Sequence, residues 1–123
     1  MPIIKIETEI NAPIERVFDL ARCIDLHTES MSESKEKAVE GKIKGLINED
    51  ETVTWEAVHF GVKQKLTSKI TIFNRPHQFR DSMVKGAFKR FDHDHFFEVK
   101  ESQTVMKDVF DYDSPLGIFG NIA

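Results

Sequence analysis

The sequence predicts an α+β domain in which a strongly curved antiparallel sheet of six or seven strands wraps around helices near the N-terminus. Three observations predict it. One apolar helical stripe occurs early, at Ile14, Val17, Phe18 and Ala21, the i, i+3, i+4, i+7 spacing of a helix face. Nearly everything beyond residue 35 then reads as strand. The breaks between those strands are short and made of turn residues, so neighbours must run antiparallel. With 123 residues, positions 1–123 form a single domain around a single core.

Taken in order, Ile3 to Ile10 alternates, with Ile4, Ile6, Thr8 and Ile10 on one side and Lys5, Glu7 and Glu9 on the other. That is an edge or half-buried strand. Asn11-Ala12-Pro13 reads as a helix start, a cap-type residue just ahead of an early proline, and the apolar stripe runs to about Cys23. Ile24 to Met31 reads as a second short helix that dissolves into the polar run Ser30 to Ser34. Six strands follow, near Lys35–Glu40, Glu51–Phe60, Val62–Phe73, Gln78–Lys85, Phe88–Val99 and Thr104–Tyr112. Their breaks are Gly61, Asn74-Arg75-Pro76, Gly86-Ala87 and Lys100 to Gln103, which makes the last five strands a meander. Gly41–Asp50 is a longer loop suited to a rim. A sheet of this length curls, and the helices must cover it because each has an apolar face to bury.

Composition narrows the function classes. The chain is 40% hydrophobic and 31% charged with a net charge of −4, which suits a folded soluble protein and lacks the concentrated basic face that nucleic acid requires. Lys63, Lys65 and Lys69 alternate with other residue types, as on the solvent face of a strand. No run nears the ~18 apolar residues of a membrane span, and no signal-peptide core opens the chain, so no membrane insertion is expected. A single cysteine, Cys23, allows no intrachain disulfide, and a cytoplasmic location is expected. Ten Phe stand against one Tyr and one Trp. Aromatic bulk without a polar handle fills a greasy core or lines a greasy cavity.

The sharpest constellation is His93-x-His95. Alternation places both on the strand face shared with Phe91, Phe97 and Val99. Such a pair can chelate a metal, but a cupin-like site also needs a glutamate on the same face and a later histidine. Glu98 falls on the opposite face and no histidine follows His95, so no metal and no cofactor is expected. Asp81 lies between Phe79 and Met83 on one face, and Asp108 between Met106 and Phe110. A carboxylate in an apolar row must be paired, solvated or protonated. With the histidines these acids form polar anchors in a pocket, an acid/base pair, or a structural network that fixes the sheet. Trp55 shares a face with Val53, Ala57 and His59, as pocket wall or as core. Cys23 has no Asp/His pair spaced near it and reads as an inert buried thiol. Gly41 and Gly45 lack the context of a phosphate cradle.

The order of elements and many local runs resemble the SRPBCC superfamily, which includes START domains, the birch-pollen allergen and polyketide cyclase/dehydrase-like proteins. The stretch from Ile10 to Asp19 is similar to the family's inner strand followed by an A-P-x-x-V-F helix start. Thr52 to Ala57, His59-Phe60-Gly61, Leu66 to Ile70, Arg75-Pro76, Phe79-x-Asp81-x-Met83-Val84-x-Gly86-x-Phe88, Phe91-x-His93-x-His95-x-Phe97 and Asp108 to Tyr112 resemble a bacterial ligand-binding subgroup of it. The resemblance implies a helix-grip fold. It also implies a long C-terminal helix after Ser114-Pro115-Leu116-Gly117, for which the chain to Ala123 has too few residues. The expectation is then that further C-terminal residues, or a second copy of the chain in a homodimer, cover the concave face. The function expected is binding of a small hydrophobic molecule, lipid-like or polycyclic, between curved sheet and helix. Trp55, Phe79, Met83, Phe91, Phe97, Met106 and Phe110 would form its apolar wall, and His59, Asp81, His93, His95 and Asp108 would orient its polar end. The alternative is a cyclase/dehydrase-type enzyme using the same His and Asp groups as acid and base on a polyketide-like substrate.

Overall fold

A computed structural model describes residues 3–30, 36–59, 61–86 and 88–113. Strand β1 (Ile3–Ile10) is followed by helices α1 (Ile14–Ala21) and α2 (Ile24–Ser30). Strands β2 (Lys37–Gly41), β3 (Thr52–His59), β4 (Val62–Asn74), β5 (Gln78–Lys85), β6 (Arg90–Lys100) and β7 (Gln103–Asp113) complete the chain. All pair antiparallel in one sheet of order β1-β7-β6-β5-β4-β3-β2. β1 and β2 therefore lie on opposite edges although only two helices separate them in sequence. The connection has to cross the sheet, and it does so over one face: α1 packs on β6 and β7, α2 on β2. This crossing is what turns a meander into a grip around a helix.

Register shifts leave one extra residue at Thr71 on β4, at Val84 on β5 and at Val39 on β2, and such bulges bend a strand and increase its twist. The β6–β7 hairpin turns on Glu101 and Ser102, both at positive φ (49° and 66°), as a two-residue loop requires when it matches strand twist. Gly41 sits at φ +75°, and a Cβ there would run into the Thr52 carbonyl oxygen. No other residue type fits the end of β2.

The core lies between α1 and the middle of the sheet. Phe18 is fully buried and meets Phe73, Phe79 and Phe97 edge-on at 5.2–5.5 Å, a geometry favoured by the ring quadrupoles. Ile14 and Val17 from α1, Ile24, Ile47, Val53 and Ile70 join them. A second aromatic group, Phe88, Phe91, Phe110 and Tyr112, gathers across β6 and β7. The outer face of the sheet is polar. Arg80 holds Asp94 through two hydrogen bonds of 2.9 Å, and Arg90 bridges Asp111 and Asp113. Lys63, Lys65 and Lys69 pair with Glu56, Glu40 and Asp50, the solvent face that their alternation predicts.

Two expectations need correction. Asn11 does not cap α1: the cap position is Pro13, without a side-chain hydrogen bond, because a turn from the Ala12 amide to the Ile10 carbonyl spaces the helix two residues later. α1 also ends at Ala21 rather than Cys23, since Cys23 leaves the helix to bridge Leu46. β1 is an edge strand, one of the two readings its alternation allowed, and Ile4 and Ile6 are 43% and 56% exposed on it. The expected run Met31 to Ser34, the end of a strand at Phe60, the turn residue Ala87 and the Ser-Pro-Leu-Gly turn lie outside the described residues. No helix among the described residues is long and apolar enough to cross a membrane.

Candidate functional site

The pairing register decides which side chains share the helix-covered face. Phe79 stands opposite His95 and Asp81 opposite His93, while His95 stands opposite Asp108 and His93 opposite Phe110. Directly opposed residues of an antiparallel pair point to the same side. Three neighbouring strands thus deliver two histidines and two aspartates to one spot in an otherwise apolar face.

There His95 is held at both ring nitrogens. Nε2 lies 3.0 Å from an Asp81 carboxylate oxygen and Nδ1 2.7 Å from one of Asp108. An ionised carboxylate only accepts, so with both acids ionised both ring nitrogens donate and the ring is an imidazolium. Its faces are occupied as well, by the Phe79 ring at 4.3 Å and the His93 ring at 4.0 Å, both nearly parallel. Burial alone would lower the His95 pKa. The hydrogen bonds to Asp108 and Asp81, with their charges, outweigh it and raise the value to about 9. For Asp108, burial pushes upward, but hydrogen bonds from His93 and His95 hold the carboxyl well below its ordinary range. His93 reaches the same Asp108 oxygen at 3.4 Å.

This cluster forms the polar corner of a cavity of about 160 Å³ between the helices and the sheet. Ala21, Arg22, Cys23, Ile24 and His27 line it from the helix side and Ile47 from the β2–β3 loop. Val53, Trp55, Ser68, Ile70 and Phe79 line the sheet side. Arg22 is nearly buried, and its Nε and one Nη are committed to Asp19, the Ile47 carbonyl and Asn48 at 2.7–3.1 Å. His27 lies 4.4 Å from the Trp55 ring and pairs with Glu36.

Of the residues singled out from sequence, Trp55, Phe79, Asp81, His93 and His95 line this cavity. Asp108 stands behind it, acting on the cavity through the two histidines. Phe97 belongs to the core under Phe18, with Met106 packed against it. Phe91 and Phe110 belong to the separate aromatic group. Met83 stands opposite Ser68 on the sheet but does not reach the cavity. His59 ends β3 opposite Val62, and its side chain is not among those described. The helix-side lining was not singled out. Ile47, an apolar residue in a polar rim loop, and Ile24 and His27, one helical turn apart, were the available signals; Arg22 gave none.

Donor atoms of Asp81, His93 and His95 lie within 4.8 Å of one another, close enough for a metal ion. Yet His95 has no free lone pair, so a metal would have to displace the proton shared with Asp81. The same pinning leaves His95 unable to accept a proton as a general base.

No protein-family model matches the chain, and no curated protein does. Solved structures do. The protein TTHA0849 from Thermus thermophilus superimposes with a TM-score of 0.69 at 21% identity, covering 98% of this chain and 80% of that one. Major latex-like protein 151 from Panax ginseng gives 0.66 at 14% identity over 94% and 80%. CalU16 from Micromonospora echinospora gives 0.58 at 12% identity over 88% and 59%. At such identities the likeness speaks to architecture, and it agrees with the strand order, the crossing helices and the curved sheet: the chain has a helix-grip, birch-pollen-allergen-like α+β fold.

Proposed function

We propose that the chain binds a small hydrophobic molecule in the cavity between α1, α2 and strands β3–β6. The observation that carries this is a half-open cavity of about 160 Å³ whose wall includes Ile24, Ile47, Val53, Trp55, Ile70 and Phe79 beside a polar corner, in a fold that in general suits hydrophobic ligands. An engineered apolar cavity of about 150 Å³ takes up benzene, so this one is sized for a single ring or the tip of a longer apolar molecule. Burying roughly 150 Å² of ring at about 25 cal/mol/Å² contributes about 4 kcal/mol, which by itself corresponds to millimolar binding. Tighter binding has to draw on the polar corner.

Acid/base catalysis is the weaker reading, because the imidazolium is already saturated by two carboxylates. Native mass spectrometry of the purified protein beside a denatured run tests for a retained molecule, and a toluene titration followed in amide NMR spectra tests the chamber. The expected result is shifts confined to residues around Trp55, Ile70 and Phe79, abolished by the cavity-filling change Ala21→Phe. Shifts that persist unchanged in that variant, or no shifts at all, would rule the chamber out as the binding site.

A further inference from the structure

Building on that cavity reading, we infer that the ligand carries a cationic amine beside its apolar ring, and that a carboxylate-bearing analogue is excluded. The argument is one of charge and of hydrogen-bond direction. Two carboxylates, Asp81 and Asp108, face one imidazolium, His95, whose two N–H groups are both spent on them. With His93, which faces Asp108 at 3.4 Å, in its neutral form, the corner holds one negative charge more than it neutralises internally, and the side chains of His95, Asp81 and Asp108 sit only 13–22% exposed. Excess charge in such a half-desolvated place acts more strongly than it would in water.

The remaining acceptor capacity points the same way. Each carboxylate has about four lone-pair sites, and Asp81, which lines the cavity, spends one on His95. Two further charged or titratable groups, Arg22 and His27, lie on the helix side of the wall. Arg22 shares Asp19 with Arg75 and turns further donors to the Ile47 carbonyl and Asn48. His27 is paired with Glu36. The indole of Trp55 and the ring of Phe79 add aromatic surface to the wall, on which a cation is favoured over a neutral group.

Benzylammonium, benzyl alcohol, toluene and benzoate share one ring and differ in charge and polarity, so they separate the possibilities. Their dissociation constants would be measured by amide NMR titration at pH 7.5, a pH above the ordinary histidine range. Benzylammonium is expected to bind at least tenfold more tightly than benzyl alcohol, and benzoate more weakly than toluene. In Asp81→Asn, which removes the excess charge and keeps the shape, the benzylammonium preference over benzyl alcohol should collapse to within about threefold. Benzyl alcohol or benzoate binding as tightly as benzylammonium overturns the inference and leaves the hydrophobic cavity standing. A preference that survives Asp81→Asn in full also overturns it. If none of the four probes binds, the cavity reading falls and the inference falls with it. The wild-type series decides the matter alone if the variant does not fold.

Discussion

Single residues do more in this protein than their positions in the sequence suggest. Thr104 is almost completely buried, and its hydroxyl donates to the Ala12 carbonyl at 2.7 Å. One hydrogen bond thus ties the start of β7 to the segment that launches α1. Thr104→Val keeps the volume and deletes the donor, so it should cost about 1–2 kcal/mol in urea denaturation. Thr104→Ser, which keeps the hydroxyl, should recover most of the hydrogen-bond part. Equal stability of wild type and Thr104→Val would show that water satisfies the Ala12 carbonyl instead. The polar corner was legible at this scale because its members stand at strand spacing: His93 and His95 two apart, Asp81 and Asp108 each framed by apolar residues at i±2. What no spacing reveals is that all three strands stop in the register that brings these four groups together. Arg22 was illegible for a different reason. Its partners Ile47 and Asn48 are 25 and 26 residues away in a loop without periodicity.

At the scale of elements, the meander was readable because each turn carries its own chemistry, and strand bounds agree to within about two residues. The departures have local causes. α1 starts on Pro13 because the backbone turn at Ile10 takes up Asn11 and Ala12. The bulge between Ile70 and Ile72 breaks strict alternation on β4, so that Phe73 rather than Ile72 follows Ile70 on the helix-covered face. α1 is held to the sheet mainly through Phe18, whose ring touches three phenylalanines on three different strands. Phe18→Ala should therefore destabilise by about 3–5 kcal/mol, measured by thermal or urea unfolding. The same change should weaken toluene binding, because Phe79 packs on Phe18 and forms part of the cavity wall. A cost below about 1 kcal/mol would mean that α1 is anchored elsewhere.

For the whole molecule, two sites link folding to pH, with opposite signs. Asp19 is lowered to about 2, chiefly by its hydrogen bond from Arg75, against burial and with help from Arg22. A lowered carboxylate stabilises above its ordinary value of 3.8 and loses that contribution as pH falls through about 2; Asp108 shifts in the same direction. His95 works the other way. Raised from 6.5 to about 9, it contributes fully below pH 6.5 and loses the contribution as pH rises through about 9. At 1.36 kcal/mol per pKa unit the loss is on the order of 3 kcal/mol. It is a single interaction shared with Asp81 and Asp108, so it is counted once. Stability should accordingly peak between about pH 4 and 6.5 and decline on the alkaline side well before the lysines titrate. Urea denaturation from pH 5 to 9.5 measures that limb directly. In His95→Gln the protein should be less stable at pH 6, with two carboxylates left near one another, and its stability should no longer fall between pH 6.5 and 9.5. An alkaline decline of equal size in wild type and variant would place the responsible proton on another group, and the imidazolium at the centre of the polar corner would lose its thermodynamic support.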